Sequence, residues 1–147
     1  MVARDRSKNT VSKVSCMGRI RKDKVEKLVG SLLSPANILC TDAWRAYKKY
    51  AQDKNLEHYR LKEQQVLKGI YHIQNVNSYH SRMKKWLDKF NGVASKYLDN
   101  YLAWFRFLDF VGFEDTTANL KNMLIESCLH SVDETNDSLR LAEFKVA

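Results

Sequence analysis

A short apolar run that ends at an acidic residue is the feature that most constrains the fold of this chain. The run Ile38–Cys40 leads through one threonine to Asp42, and its length is that of a buried strand rather than of a helix. Ligands of α/β proteins gather at the carboxyl ends of strands, so a strand here would deliver a carboxylate to a chemically useful edge. The alternative is that Asp42 simply caps the next helix, expected from Ala43 to about Gln52. The sequence alone leaves both readings open.

A second segment carries polar groups at helical spacing. From Gln74 to Phe90 one face is apolar, and at about 100° per residue Asn77 and Lys84 lie almost above one another at the flank of that face. The face is formed by Val76, Tyr79, Met83, Leu87 and Phe90. Oxygen ligands such as those of Asp42 and Asn77 suit Mg²⁺, and a lysine holds a phosphate as a point charge. The spacing is consistent with metal-dependent phosphodiester chemistry, in which two divalent ions about 4 Å apart stabilise the attacking and leaving oxygens.

The charge distribution indicates a nucleic-acid partner. The net charge is +8, from 25 Lys and Arg against 17 Asp and Glu. Residues 1–100 carry 21 basic against 9 acidic residues, a balance of +12, and residues 101–147 carry 4 against 8, a balance of −4. A basic body with an acidic tail is typical of proteins that bind a phosphate backbone, although a merely soluble basic surface would look the same.

Several other classes of protein are not supported. The longest apolar stretch is far short of the roughly 20 residues of a membrane span, and the first six residues contain no apolar region of a secretory signal. The three cysteines and four histidines lack the spacing of a zinc site or a disulfide framework. They are Cys16, Cys40, Cys128, His58, His72, His80 and His130. We therefore expect a cytoplasmic protein with ordinary thiols.

The remaining pattern alternates between strands and helices. Val2–Arg4 resembles the end of a strand, and residues 10–20 alternate well enough for a second one. Asp23 can cap a helix running to about Leu33. Further elements are expected as a strand at 58–61, an aromatic-rich helix at 95–110 and a last helix from a cap at Asp115 to about His130, with frayed acidic residues beyond Ser131. The aromatic residues of helix 95–110 indicate a core more than a base-stacking platform, because core aromatics at helical spacing are commoner.

Three segments of the sequence resemble a known family. Residues 38–47 resemble the T-D-x-x-x-x-Y segment of ISXO2-like insertion-sequence transposases (the IS1595 family) of bacteria. Residues 70–86 are similar to the family's H-x-x-N-x-E/N-x-x-x-x-x-x-K helix, and residues 90–101 to the segment that follows it. The resemblance covers about residues 2–110.

The resemblance implies a fold and an activity. The implied fold is α/β, an RNase H-like DDE transposase core that lacks its first strand and is followed by C-terminal helices. Residues 1–110 would form the partial catalytic domain and residues 111–147 a helical, acidic tail. The family cuts double-stranded DNA at transposon ends and joins it to a target with Mg²⁺ (or Mn²⁺). Asp42 would be the second carboxylate, Asn77 the third metal ligand and Lys84 the DNA-contacting lysine; neighbouring helix residues expected to touch DNA are His80, Arg82 and Lys85.

The sequence departs from the family pattern at its beginning. The first catalytic aspartate belongs on a strand preceding Val2–Arg4, and Asp5 is rejected as a substitute because it falls in the following turn. We therefore expect the C-terminal part of a split or truncated transposase, inactive alone and inclined to associate through an exposed sheet edge, with itself or with a full-length transposase. The alternatives are a non-catalytic remnant that binds DNA or transposase, and a helical scaffold for which the motif is a coincidence.

Overall fold

The protein, seen in a computed structural model, is described over residues 1–62, 65–114, 116–129 and 134–144. Strands and helices alternate in its first half and helices follow in its second. The strands are β1 (Val2–Arg4), β2 (Thr10–Ser12), β3 (Ile38–Thr41) and β4 (Glu57–Arg60). The helices are α1 (Lys22–Val29), α2 (Arg45–Asp53), α3 (Gln74–Asp88), α4 (Leu98–Val111), α5 (Thr117–Leu129) and α6 (Asn136–Leu141). Short 3₁₀ turns follow α1 (Gly30–Leu32) and precede α4 (Ser95–Tyr97).

The strands form two separate two-stranded sheets. Strands β1 and β2 are antiparallel, with Val2 opposite Ser12. Strands β3 and β4 are parallel, with Ile38 opposite Glu57, and α2 supplies the crossover that parallel strands require. The mixed α/β class is therefore as expected. Within the described residues, the two sheets share no ladder of hydrogen bonds.

Two apolar clusters cover opposite faces of β1. Ala3 packs with Leu39 of β3 against a cluster of α1 and α2 whose buried members are Val25, Val29 and Tyr50. The next side chain along the strand, Val2, packs against a cluster of α3 and α4 whose buried members are Tyr79, Trp86 and Phe105. Because neighbouring side chains of a strand point to opposite faces, β1 is enclosed between two helical layers. Burial on both faces is typical of a central strand.

The first half of the chain differs from the prediction at several boundaries. The strand expected at 10–20 ends at Ser12, although the backbone of Lys13 still donates to and accepts from Met1 at 3.1 and 2.7 Å. Beyond it, the Val14 N–H donates a 2.7 Å hydrogen bond to the Asp99 carboxylate of α4. The helix α1 begins after Arg21, and Asp23 lies in its first turn without capping it. A side chain within the first turn cannot occupy the capping position, although its charge still favours the helix N-terminus.

The aromatic helix is mainly a core helix, as the sequence favoured. Phe105 is fully buried and meets Tyr79 edge to face at 5.1 Å between ring centroids. Trp86 of α3 lies in the same cluster and contacts Trp104, whose side chain is half exposed. Helix α3 stops before Asn91 and Gly92, which both have positive φ. That conformation suits glycine and asparagine, so the predicted helix end is confirmed to within two residues.

The C-terminal helices agree only in part with the prediction. The last predicted helix is α5, but its proposed cap Asp115 and its proposed end His130 lie outside the described residues. The acidic segment expected to fray contains α6, which begins with a capping box: Thr135 and Ser138 each bond the other's backbone N–H. No helix in the described part of the chain is long and apolar enough to cross a membrane.

Candidate functional site

Asp42 lies at the carboxyl end of β3, as the sequence predicts. Its side chain is exposed, and its Oδ1 atom accepts a 3.0 Å hydrogen bond from the Trp44 N–H. The helix α2 begins at Arg45, and its N-cap, Trp44, makes no side-chain capping bond. The alternative in which Asp42 caps α2 is therefore wrong. The carboxylate instead closes a short turn between strand and helix, which fixes its direction.

Asn77 and His80 lie in α3 and are both half buried. The Asn77 N–H bonds to the Ile73 carbonyl at 3.0 Å, so its backbone is satisfied within the helix. Tyr79, between them in sequence, is fully buried against Phe105 and anchors this turn of the helix. The core therefore holds Asn77 and His80 at its border.

Electrostatic effects on His80 connect the two segments of the motif. Burial lowers the pKa of His80, the N-terminal ammonium and Lys84 lower it further, and the Asp42 carboxylate raises it. Such interactions act over a short range in a partly buried setting. The charges of Asp42, at the end of β3, and of Lys84, one turn further along α3, therefore both act on the His80 imidazole.

Arg82 is held by an internal ion pair. Its Nη2 atom lies 2.7 Å from Asp109 Oδ1, while Arg4 Nη1 lies 2.6 Å from Asp109 Oδ2. The side chain of Asp109 is 6% exposed and that of Arg82 is 48% exposed. Asp109 of α4 thereby joins α3 to β1. Sequence reasoning did not identify Asp109, because nothing in the spacing of the chain connects residues so far apart.

Lys84 and Lys85 are exposed on α3. Their ammonium groups therefore remain hydrated and accessible to a polyanion. An exposed cation of this kind contributes little to fold stability, so its contribution to binding can be tested without loss of the structure.

The residues that the structure describes do not form a complete site for a pair of divalent ions. The predicted donors are one carboxylate, at Asp42, and one neutral amide, at Asn77. Within the described ranges, no group of three or more His, Cys, Asp or Glu side chains could hold a metal ion. Two-ion sites require ligands that compensate four positive charges and bridge the ions, and a single carboxylate cannot do so.

Comparison with known proteins identifies the family. The profile of the ISXO2-like transposase domain matches residues 1–108, a span that contains both sheets, α1 to α3 and most of α4. The protein is thus of the transposase class, and the chain belongs to the ISXO2-like (IS1595) transposase family. This confirms the resemblance seen in the sequence, and the family implies a DNA substrate. No curated protein and no solved structure matched the chain.

Proposed function

We propose that this chain takes part in DNA transposition as the DNA-binding, ligand-contributing part of a transposase catalytic domain. The family assignment carries the general role. The finer role is supported by charge, since the Asp42 carboxylate raises and the Lys84 ammonium lowers the pKa of His80, so both groups lie within electrostatic reach of one imidazole. In that site Asp42 is the second carboxylate, Asn77 the third ligand and Lys84 a phosphate contact. When bound, divalent ions would supply the charge stabilisation of phosphodiester chemistry.

The fold of the proposed domain is an RNase H-like core to which one strand must be added. Two observations support this proposal. Strand β1 is covered on both faces but hydrogen-bonded along one edge among the described strands, and Leu39 of β3 packs against the same cluster as Ala3 of β1. A strand inserted between β1 and β3 would join the two sheets into one, and an acidic residue on it would lie beside Asp42.

The same donor set favours a second candidate function. With one carboxylate and one amide in the proposed donor set, the protein on its own acts as a non-catalytic basic module that binds DNA or a complete transposase. In the first candidate function the chain contributes ligands to a catalytic site, and in the second it does not. Both candidate functions predict that the exposed cations of α3 contact DNA phosphates.

A salt titration tests the shared prediction. The logarithm of DNA affinity should fall linearly with the logarithm of salt concentration, because bound cations release condensed counterions. Fluorescence anisotropy with a duplex of about 30 base pairs and no chosen sequence measures this slope. In Lys84→Gln/Lys85→Gln the slope should become shallower by about 0.9 for each phosphate that the variant no longer neutralises.

A control variant removes two positive charges from lysines outside α3. Lys22 pairs with Asp53, and Lys54 pairs with Glu26 at 2.9 Å, so both cations are already neutralised within the protein. The variant Lys22→Gln/Lys54→Gln should leave the slope close to that of the wild type. A wild-type affinity that does not change with salt would contradict binding through phosphate contacts, and no detectable affinity would contradict DNA binding altogether. Equal slopes in the two double variants would contradict the assignment to α3.

A further inference from the structure

Trp44 presents an indole ring that is fixed in direction but exposed, directly beside Asp42. Its ring Nε1–H donates a 3.1 Å hydrogen bond to the Ile20 carbonyl, and its backbone N–H donates to the Asp42 carboxylate at 3.0 Å. Arg60 of β4 holds the same turn by donating a 2.9 Å hydrogen bond to the Ala43 carbonyl. Trp44 is nevertheless 37% exposed. An aromatic ring that hydrogen bonds orient and that packing leaves open is suited to receive a ligand.

The indole forms part of the wall of an open cavity between the first residues of α1 and those of α2. The cavity has a volume of about 410 Å³, which lies within the roughly 300–1,000 Å³ of small-molecule sites. Its lining contains four cationic residues and one acidic residue, which are Arg21, Lys22, Arg45, Lys49 and Asp23. A flat aromatic wall beside an excess of positive charge favours a ligand that has a planar ring and a negative group.

Two of the four cations are available to such a ligand. The other two already have carboxylate partners within the protein. Arg45 and Lys49 are exposed and lie four positions apart on α2, so their side chains are neighbours on one face of the helix. Neither forms an ion pair with any residue that the structure describes. Together they can bind one phosphate group.

We propose that this cavity binds an unpaired nucleotide of the DNA substrate, with its base on the Trp44 indole and its phosphate at Arg45 and Lys49. The inference rests on the function proposed above, because it takes the substrate to be DNA. Every base has a flat face that can stack on an aromatic ring, which is how many proteins bind single strands. A paired base is covered by its neighbours in the duplex, so only an unpaired base can reach the ring. The bound nucleotide lies next to Asp42, the proposed metal ligand.

Arg19 lies over the face of the indole that the base would use. Its guanidinium carbon is 5.5 Å from the centroid of the Trp44 ring, and the residue is exposed. A cation–π contact at an exposed site is weaker than the stacking of a base on an aromatic ring. A base can therefore displace the guanidinium, which remains close enough to pair with a phosphate of the same strand.

Binding of the full chain to DNA with unpaired ends tests the pocket. The probe is a short duplex with unpaired adenines at its ends, in either strand polarity, and its reference carries abasic residues there, which keep the phosphates and remove the bases. By fluorescence anisotropy the wild type should bind the adenine form about tenfold more tightly, because stacking adds to the phosphate contacts. In Trp44→Ala the two affinities should become equal. Trp44→Phe should keep part of the preference, because it keeps an aromatic face.

A matched control removes an exposed aromatic ring from another part of the protein. Phe110 of α4 is 79% exposed, and Phe110→Ala should keep the wild-type preference for unpaired adenines. Arg45→Gln/Lys49→Gln should weaken binding to both DNAs and keep the preference, because the cations contact phosphates and the ring contacts the base. Far-ultraviolet dichroism and melting curves check that each variant is folded.

The outcomes separate the pocket from the proposed function. Equal affinity of the wild type for the two DNAs, with duplex binding intact, would overturn the nucleotide pocket and leave the proposed function standing. A preference that persists in folded Trp44→Ala, or that Phe110→Ala loses to the same extent, would also overturn the pocket. Absence of affinity for both DNAs would overturn the pocket and the proposed function together.

Discussion

The guanidinium of Arg82 forms an ion pair with Asp109 at 2.7 Å, and the second oxygen of that carboxylate accepts a 2.6 Å hydrogen bond from Arg4. The side chains of Arg4 and Asp109 are 7% and 6% exposed. Arg4 also lies over the ring of the fully buried Tyr79, at 5.2 Å from its centroid. A carboxylate of α4 thus ties β1 and α3 together beneath the turn that carries Asn77 and His80.

Removal of that carboxylate should strongly destabilise the protein. Asp109→Ala leaves the Arg4 guanidinium buried without its counter-charge, and loss of one partner of a buried pair costs about 3–5 kcal/mol. Arg82→Gln should cost no more than about 1 kcal/mol, because its pair is half exposed and Arg4 still neutralises Asp109. Urea denaturation monitored by dichroism measures both values. Asp88→Ala, an exposed carboxylate of α3, is the control and should lie within about 0.5 kcal/mol of the wild type; a comparable loss there would contradict the assignment to the buried pair.

Stability should decrease as the pH falls below neutrality. Burial, followed by Arg60, lowers the pKa of His58, and burial is also the largest cause of the lowered pKa of His80. From about pH 6.5 downward the unfolded chain binds protons that the folded chain does not bind until lower pH. The free energy of unfolding therefore falls through this window, by at most about 1.4 kcal/mol per pH unit for each histidine.

Urea titrations between pH 5 and 8 would measure this decrease. Burial also lowers the pKa of the Met1 ammonium, so its contribution has the same sign but begins near pH 8 and can be separated. In His58→Gln/His80→Gln the decrease below pH 6.5 should be markedly smaller. Stability that rises on acidification in the wild type would contradict the direction of both shifts.

The pKa of His80 reports whether strand and helix share a site. Asp42→Asn removes a charge that favours the imidazolium, so the pKa of His80 should fall further. Lys84→Gln removes a charge that opposes it, and the pKa should rise. Nuclear magnetic resonance titration of the histidine ring signals measures both. Asp88→Asn removes a negative charge two turns further along α3 and should have no comparable effect; an unchanged pKa in Asp42→Asn would contradict the proposed proximity.

Local pattern was enough to predict the helices that border the site. The spacing of apolar residues on one face predicted α3 from its first residue, Gln74, and a short continuous apolar run predicted the strand that ends just before Asp42. The contacts of the segment after β2 could not be predicted, since the Val14 N–H donates to the carboxylate of Asp99, 85 positions away. Helix α6 was missed because it is short and polar, and its capping box at Thr135 was not recognised.

The side chains that contact the proposed site residues were the feature that the sequence predicted least well. Arg82 was expected to contact DNA, but its spacing does not reveal that Asp109 holds it. Side chains that meet across the core are fixed by tertiary packing and leave no periodic signal in the sequence. The DNA contacts of Lys84, Lys85, Arg82 and His80, and metal binding by Asp42 and Asn77, stay predictions.

The chain alone should neither cleave nor join DNA. A two-ion mechanism needs bridging carboxylates, and the proposed donors of this chain carry a single negative charge, on Asp42. Incubation with a transposon-end duplex and Mg²⁺ or Mn²⁺ should give no nicked or joined product, in the wild type as in Asp42→Ala. Calorimetry should likewise detect no tight Mg²⁺ binding, since affinity for this hard cation grows with the number of charged oxygen ligands. Turnover by the wild type that Asp42→Ala abolishes would mean that another residue, Asp5 first among them, supplies the further carboxylate, and the proposed donor set would then be incomplete.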